Sequence, residues 1–214
     1  MIFYLKRQKK KGDRVRNKIV SAALFVALLS GCASVRPAAQ QYILTPDVQV
    51  DALSTSKYKD KTLKVANIYA DRSLKTRNMF YIEQKRKKYA YSESKWAESP
   101  QTMIHQAVMD MMRKSAAFGY VQSPKSKVLS DFLLETRVDE FAQYFSDDEK
   151  SATAKVTITF TLLDAKKHTI VMSKTFSATK TFSSLNAAGG AEALSLALSD
   201  VLRSAAQWIE KGAE

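Results

Sequence analysis

Between Lys155 and Leu162 apolar and polar side chains alternate without a break: Val156, Ile158, Phe160 and Leu162 against Lys155, Thr157, Thr159 and Thr161. Successive side chains of a strand point to opposite faces, so this run predicts a β-strand with one buried side that something must cover. Two amphipathic helices are available for the purpose. Ser99-Pro100 opens the first, since serine caps free backbone N–H groups and proline suits the first helical position. Ile104, Val108, Met111, Met112 and Ser115 share one face of it, with Asp110, Arg113 and Lys114 outside. Gly119 is expected as its left-handed C-terminal residue. Gly189-Gly190 precedes the last helix, which puts Leu194, Leu198, Val201, Ala205 and Trp208 on one face.

The other strands are shorter signals. Tyr42-Ile43-Leu44 is expected as a first strand, ended by Thr45-Pro46, and residues 47–61 read as loop. Leu63, Val65, Ile68 and Tyr69 form a β-rich run. Met79–Glu83 and Lys88–Ser92 predict a hairpin with Lys85-Arg86-Lys87-Lys88 at its tip. Phe132, Leu134 and Val138 share a face of a strand before the alternating one. His168, Ile170, Met172, Phe176 and Ala178 share a parity of a strand after it. The connectors 146–150 and 165–167 are short and charged, which favours antiparallel neighbours. These elements predict an α+β fold: a mainly antiparallel sheet with two amphipathic helices packed on one face, a two-layer sandwich.

The N-terminus has another character. A basic stretch is followed by an apolar run from Ile19 to Leu29 and then by Ser30-Gly31-Cys32. That order is the order of a secretory signal, and Leu29-Ser30-Gly31-Cys32 is similar to a bacterial lipobox. Cys32 is the only cysteine in the chain, and a thiol is nucleophilic enough to accept a diacylglycerol before cleavage. A transmembrane anchor with an incidental cysteine is the alternative, but eleven helical residues reach only about 16 Å of a ~30 Å hydrocarbon core. The expected organisation is a signal peptide at 1–31, a lipidated tether at 32–41 and one domain at 42–211. Removing the leader leaves 183 residues and takes +7 of the formal +13 with it. The pI near 9.7 is therefore no pointer to nucleic acid. The mature chain has no second cysteine, so packing rather than a disulfide must hold it in an oxidising compartment.

Catalytic patterns are missing from the sequence. No Gly-x-Ser-x-Gly, His-Glu-x-x-His, Walker or Gly-x-Gly-x-x-Gly motif occurs. Between Cys32 and Gly189 the only glycine is Gly119. His105 and His168 lack ligand spacing to a neighbour, so no metal and no cofactor are expected. Asp147, Asp148 and Glu149 read as a solvated turn. The basic run at Lys85, Arg86, Lys87 and Lys88, flanked by Tyr81, Tyr89 and Tyr91, has two readings. It could meet an acidic partner or anionic headgroups, or be a solvated turn that discourages edge pairing. These seven residues are the candidate partner-binding set.

From Tyr42 onward the chain resembles the ABC-type transport auxiliary lipoprotein family, the paraquat-inducible protein C group. The resemblance rests on Tyr42-Ile43-Leu44, on Met79-Phe80-Tyr81 with Tyr89, and on Trp96-Ala97-Glu98-Ser99-Pro100. It extends to Asp131-Phe132-Leu133-Leu134 with Val138 and Phe141, and to Asn186 and the segment Ala191 to Ile209 with Trp208. Ala116-Ala117 departs from the Ser-Gly that the family often has before the phenylalanine. The resemblance implies a non-catalytic auxiliary component of a trans-envelope lipid transport system. Its implied partners are a mammalian-cell-entry-type periplasmic subunit and that subunit's inner-membrane permease and ATPase; a homo-oligomer is compatible. The implied location is the periplasmic face of the envelope, lipid-anchored, with the outer membrane favoured because Ala33 rather than aspartate follows Cys32. A lipoprotein activator of a cell-wall synthase or other envelope complex is the alternative.

Overall fold

The computed structural model describes residues 38–49, 56–84, 86–148 and 150–213. The leader, Cys32, most of the tether, Lys85 and Glu149 lie outside the described residues. A compact unit begins at Ala39. Its strands are β1 (Gln40–Tyr42), β2 (Thr62–Val65), β3 (Tyr69–Ala70), β4 (Asn78–Glu83), β5 (Lys87–Trp96), β6 (Tyr120–Gln122), β7 (Phe132–Phe145), β8 (Ala152–Asp164) and β9 (Thr169–Phe182). The helices are α1 (Pro100–Ser115) and α2 (Ala187–Ala213), with a short 3-10 turn at Arg72–Lys75.

The alternating run is β8, and its even-numbered residues from Ala152 to Leu162 are 0–2% exposed. Those from Ala154 to Leu162 form one core with the apolar faces of α1 and α2. β8 pairs with β7 and β9 in two antiparallel ladders, as the short connectors require. The expected mainly antiparallel sheet is not what forms: the sheet is mixed. β2, β3 and β4 all run parallel to β7, β1 runs parallel to β5, and β6 parallel to β2. Connector length informs only on strands adjacent in sequence. Parallel pairs need a crossover, and these pairs join strands far apart in the chain.

Boundaries moved for local reasons. β1 begins at Gln40, two residues before the expected strand, and pairs with Ser94–Trp96. The register between β8 and β9 slips after Leu162–Met172 to Leu163–Ile170. A slip of one residue reverses a strand's faces, so Ile170, expected inside, is 64% exposed.

α1 starts as expected, Ser99 Oγ accepting from Thr102 N at 3.2 Å with Pro100 in the first turn. It ends before Gly119. Ala116 takes the left-handed conformation (φ 51°), and the buried Ser115 hydroxyl donates to Met112 O at 3.0 Å. Gly119 serves close approach instead: a Cβ there would collide with the Lys59 carbonyl. Gly189 and Gly190 lie inside α2 rather than before it, and Asn186 caps the helix by accepting from Gly189 N at 2.9 Å. A Cβ on Gly190 would overlap the Gln143 side-chain amide. Two buried serines of α2 hold the segment that follows β1. Ser195 Oγ accepts from Thr45 N at 3.2 Å and Ser199 Oγ from Asp47 N at 2.9 Å. Among the described residues no helix is long and apolar enough to cross a membrane.

Phe160 is fully buried between α2 and β9, its ring 6.2 Å from Phe176, which meets Trp208 at 5.8 Å. Phe160→Ala should cost about 3–5 kcal/mol by emptying that site. Thr159, on the opposite face, donates to Asp139 Oδ2 at 2.6 Å in a solvated row, so Thr159→Ala should stay within about 1 kcal/mol. Thermal unfolding of the two variants checks the assignment of faces; equal melting temperatures would reverse it.

Candidate functional site

The β4–β5 hairpin is the surface that the sequence singled out. Its turn closes through Arg86 N donating to Glu83 O at 3.1 Å, with Gln84 at φ 49°. The pleat then divides its side chains. Tyr81 pairs with Tyr89 and Glu83 with Lys87; Ile82 pairs with Lys88 and Phe80 with Ala90. Lys87 therefore shares a face with the tyrosines, and Lys88 points to the other. There Lys88 Nζ donates to Ser73 Oγ at 2.8 Å and lies 4.8 Å from the centre of the Phe80 ring. The expected basic cluster is two groups on opposite faces, with exposed Arg86 at the turn and Lys85 outside the described residues.

The tyrosines do come together. The Tyr81 ring lies 5.6 Å from Tyr89, 4.7 Å from Tyr91 and 4.9 Å from Phe145, and Phe145 reaches Phe182 at 6.5 Å. An aromatic band thus crosses from β5 to β9. Tyr89, 41% exposed, is its open end. At the inner end the Tyr91 hydroxyl donates to Gln143 Oε1 at 3.0 Å. Gln143 is 1% exposed and lies against Gly190. Its Nε2 finds no acceptor among the described residues. Gln143 carries no signal in the sequence, because a glutamine in a β-strand has no distinguishing pattern.

The remaining candidates are structural. Trp96 is 2% exposed and meets Phe141 at 6.1 Å between ring centres. Ala97 N donates to Tyr42 O at 2.7 Å, so Trp96 to Pro100 joins β5, β1 and α1. His105 sits on α1, where burial pushes its pKa down; His168 occupies the β8–β9 turn at φ 56°. Asp148 Oδ1 accepts from Ser146 Oγ at 2.6 Å and Lys150 N at 3.2 Å, and these bonds hold its carboxyl below the usual range. That is the hydrogen bonding of a turn. Among the described residues no three or more His, Cys, Asp or Glu gather to hold a metal. The cleft beside Phe80, Lys88 and Trp96 has a volume of about 40 Å³, space for waters rather than an organic ligand.

The sequence profile described as the ABC-type transport auxiliary lipoprotein component matches residues 42–206. The chain belongs to that family. The family is that of the paraquat-inducible protein C-like lipoproteins, as the resemblance had it, and its description is that of an auxiliary lipoprotein component. The fold recurs in a crystal structure from Xanthomonas campestris, which is 22% identical. That match covers 78% of this chain and 94% of that one, with a TM-score of 0.67. A second solved structure, of an uncharacterised protein, is 11% identical, covers 80% and 99% respectively, and has a TM-score of 0.60. At these identities the two likenesses establish the fold alone. No curated protein matches the chain.

Two tyrosines report on the packing of this auxiliary domain. Burial, with Tyr81 and Tyr42 nearby, raises Tyr91 well above the ordinary phenol range. Tyr144 is pushed up to about 12 by burial and by Glu140, whose Oε1 accepts its hydroxyl at 2.7 Å. A folded pKa above the unfolded value favours the protonated state. The associated stability is complete below pH ~10 and is lost as pH rises from there through about 12. Ultraviolet titration of tyrosinate should show Tyr91 and Tyr144 ionising late in the folded protein. Tyr144→Phe should flatten the alkaline loss of melting temperature; an unchanged slope would remove Tyr144 as its source.

Proposed function

We propose that this protein is a lipid-anchored, non-catalytic lipoprotein on the periplasmic face of the outer membrane, acting in trans-envelope lipid transport. Membership of the auxiliary lipoprotein family over residues 42–206 carries the reading. Leu29-Ser30-Gly31-Cys32, with the chain's only cysteine, supports lipidation at Cys32. Ala33, in place of a retention aspartate, supports sorting to the outer membrane. The domain contributes by what it holds: a mammalian-cell-entry-type periplasmic subunit, which works with an inner-membrane permease and ATPase. The β4–β5 hairpin is the contact proposed for that subunit. It offers Tyr89 stacked on Tyr81, with Tyr91 tilted against Tyr81, beside Lys87 and Arg86; tyrosine and arginine are residue types that anchor interfaces.

Two measurements test this. Each buried methylene contributes about 0.8 kcal/mol, so two or three acyl chains make release negligible. Cys32→Ser should yield an unprocessed or soluble species in membrane fractionation, and normal processing with membrane retention would refute lipidation there. Reversing charge at Lys85, Arg86, Lys87 and Lys88 together should lower co-purification of the periplasmic subunit several-fold while folding and lipidation persist. Normal yield would reduce the hairpin to a solvated turn. Recovery of cell-wall synthases by the wild-type protein, in place of the subunit, would overturn the transport reading.

A further inference from the structure

The edges of the sheet are unequal. β1 and β6, where the main strand order ends, have three residues each. β9, which closes the branch leaving β7 through β8, has fourteen, and among the described residues it pairs with β8 alone. An edge strand presents a row of unpaired N–H and C=O groups, a template for another strand unless it is guarded by short length, proline, a bulge or lysine. β9 is long and contains no proline. Its bulge falls between Ile170 and Met172 and leaves Met172–Phe182 in unbroken register. Lys180 is drawn to Asp200 Oδ2 at 2.6 Å, and Lys174 Nζ lies 5.3 Å from the centre of the Phe176 ring.

The helix-facing side of this edge is incompletely covered. In β8 the even-numbered residues from Ala154 to Leu162 are fully buried, whereas Met172, Phe176 and Ala178 of β9 are half-buried although they pack on the same core. The opposite side is a row of exposed hydroxyls: Ser173, Thr175, Ser177, Thr179 and Thr181. Three of these form rungs with β8, Thr161–Ser173 and Thr159–Thr175 at 2.8 Å and Thr157–Ser177 at 2.9 Å. A hydroxyl has one proton and two lone pairs, so each rung can continue to a further hydroxyl across the open edge.

The strand that best supplies those hydroxyls is β9 itself. Two antiparallel β9 strands keep their helix layers on one side when even-numbered residues oppose even-numbered ones, because side chains alternate between faces. Two-fold registers of that kind centred on Thr175 or on Phe176 place Ser173, Thr175 and Ser177 opposite hydroxyls, and Lys174 opposite Phe176 or Ala178. Cross-strand Thr and Ser pairs are stabilising, and like charges directly opposite are not. Moving the axis back to Lys174 would oppose that lysine to its own copy, and moving it on to Ser177 would oppose Lys174 to Lys180. The lysines therefore bracket the axis from both sides, and the pattern of hydroxyls is self-complementary between them.

We propose that β9 is a two-fold interface at which a second copy of this chain joins its sheet edge to edge, antiparallel, with the axis at Thr175–Phe176. Such an interface uses the same patch on both copies and closes on itself. It depends neither on the lipid anchor nor on the transport reading. The test adds one thiol to the full-length chain, by Thr175→Cys or, as control, Thr181→Cys; both positions are exposed, and Cys32 is common to both variants. At the usual strand rise and spacing, the two 175 positions lie within about 8 Å across the axis and the two 181 positions more than about 30 Å apart. A short bifunctional thiol reagent applied to membranes should give a dimer of the chain from Thr175→Cys at several-fold the yield from Thr181→Cys. Thr175→Glu brings two carboxylates together at the axis, and should shift the purified chain toward monomer in sedimentation at a concentration where Thr181→Glu leaves the dimer intact. Equal crosslinking of the two thiol variants, a monomeric wild type, or adducts from position 175 with another protein in place of the second copy would overturn the proposal.

Discussion

β7 is the element on which the rest of the sheet depends. A buried strand must find partners for the backbone groups on both of its edges, because an unpaired buried N–H or C=O costs as much as a lost hydrogen bond. One edge is filled along its length by β8. The other is shared in turn by β2 at Leu63–Phe132, β3 at Tyr69–Arg137 and β4 at Ile82–Tyr144. Ala66 N closes part of the gap between the first two by donating to Leu134 O at 2.9 Å. Three short strands can do the work of one only if the backbone between them is placed by other means. Gly119, close-packed on Lys59, and the Asp131 node, bonded to Thr62, supply that placement at one end.

The same economy fixes where the N-terminal segment meets the domain. β1 has only three residues, too few to hold by its ladder to β5 alone. The Ala97–Tyr42 bond extends that ladder, and Ser195 and Ser199 then clamp Thr45 and Asp47 to α2. Both hydroxyls also donate within the helix, to Ala191 O and Ser195 O at 2.8 Å each, so the buried groups are used as donor and acceptor. The first residues of the domain are thus held by the sheet and by α2 together.

Legibility in the sequence followed the range of the interaction. The β8 alternation, the Ser99-Pro100 start of α1 and the β7–β8–β9 meander are local, and residues a few places apart determined them. The parallel pairings were not legible, since nothing in Leu63 or Tyr69 records that its partner is some seventy residues away. Gly119 suggests a left-handed helix end and Gly190 a position ahead of the last helix, whereas here both make room for a neighbour. Ala116 took the left-handed position instead, and a residue with a Cβ gives no such signal. At the candidate site the three tyrosines were read together and are together. The four cations were also read together, and the pleat parts Lys87 from Lys88. A run in sequence becomes a patch in a loop but two faces in a strand.

The segment Trp96-Ala97-Glu98-Ser99-Pro100 illustrates the difference between frame and specificity. Trp96 fills the core, Ala97 bonds to β1, Ser99 caps α1 and Pro100 begins it, buried. Each of these residues is occupied with joining three elements, so the segment serves the frame of the fold. The exposed features are of another kind: Leu129 between Lys127 and Asp131, Tyr89 beside Lys87, and Ile170 put outward by a bulge. None of them is required by the core, and Leu129, 91% exposed, gains nothing from folding. Side chains that the fold does not need are free to be set by what the protein meets, and here they lie at the ends of the sheet rather than in a cleft.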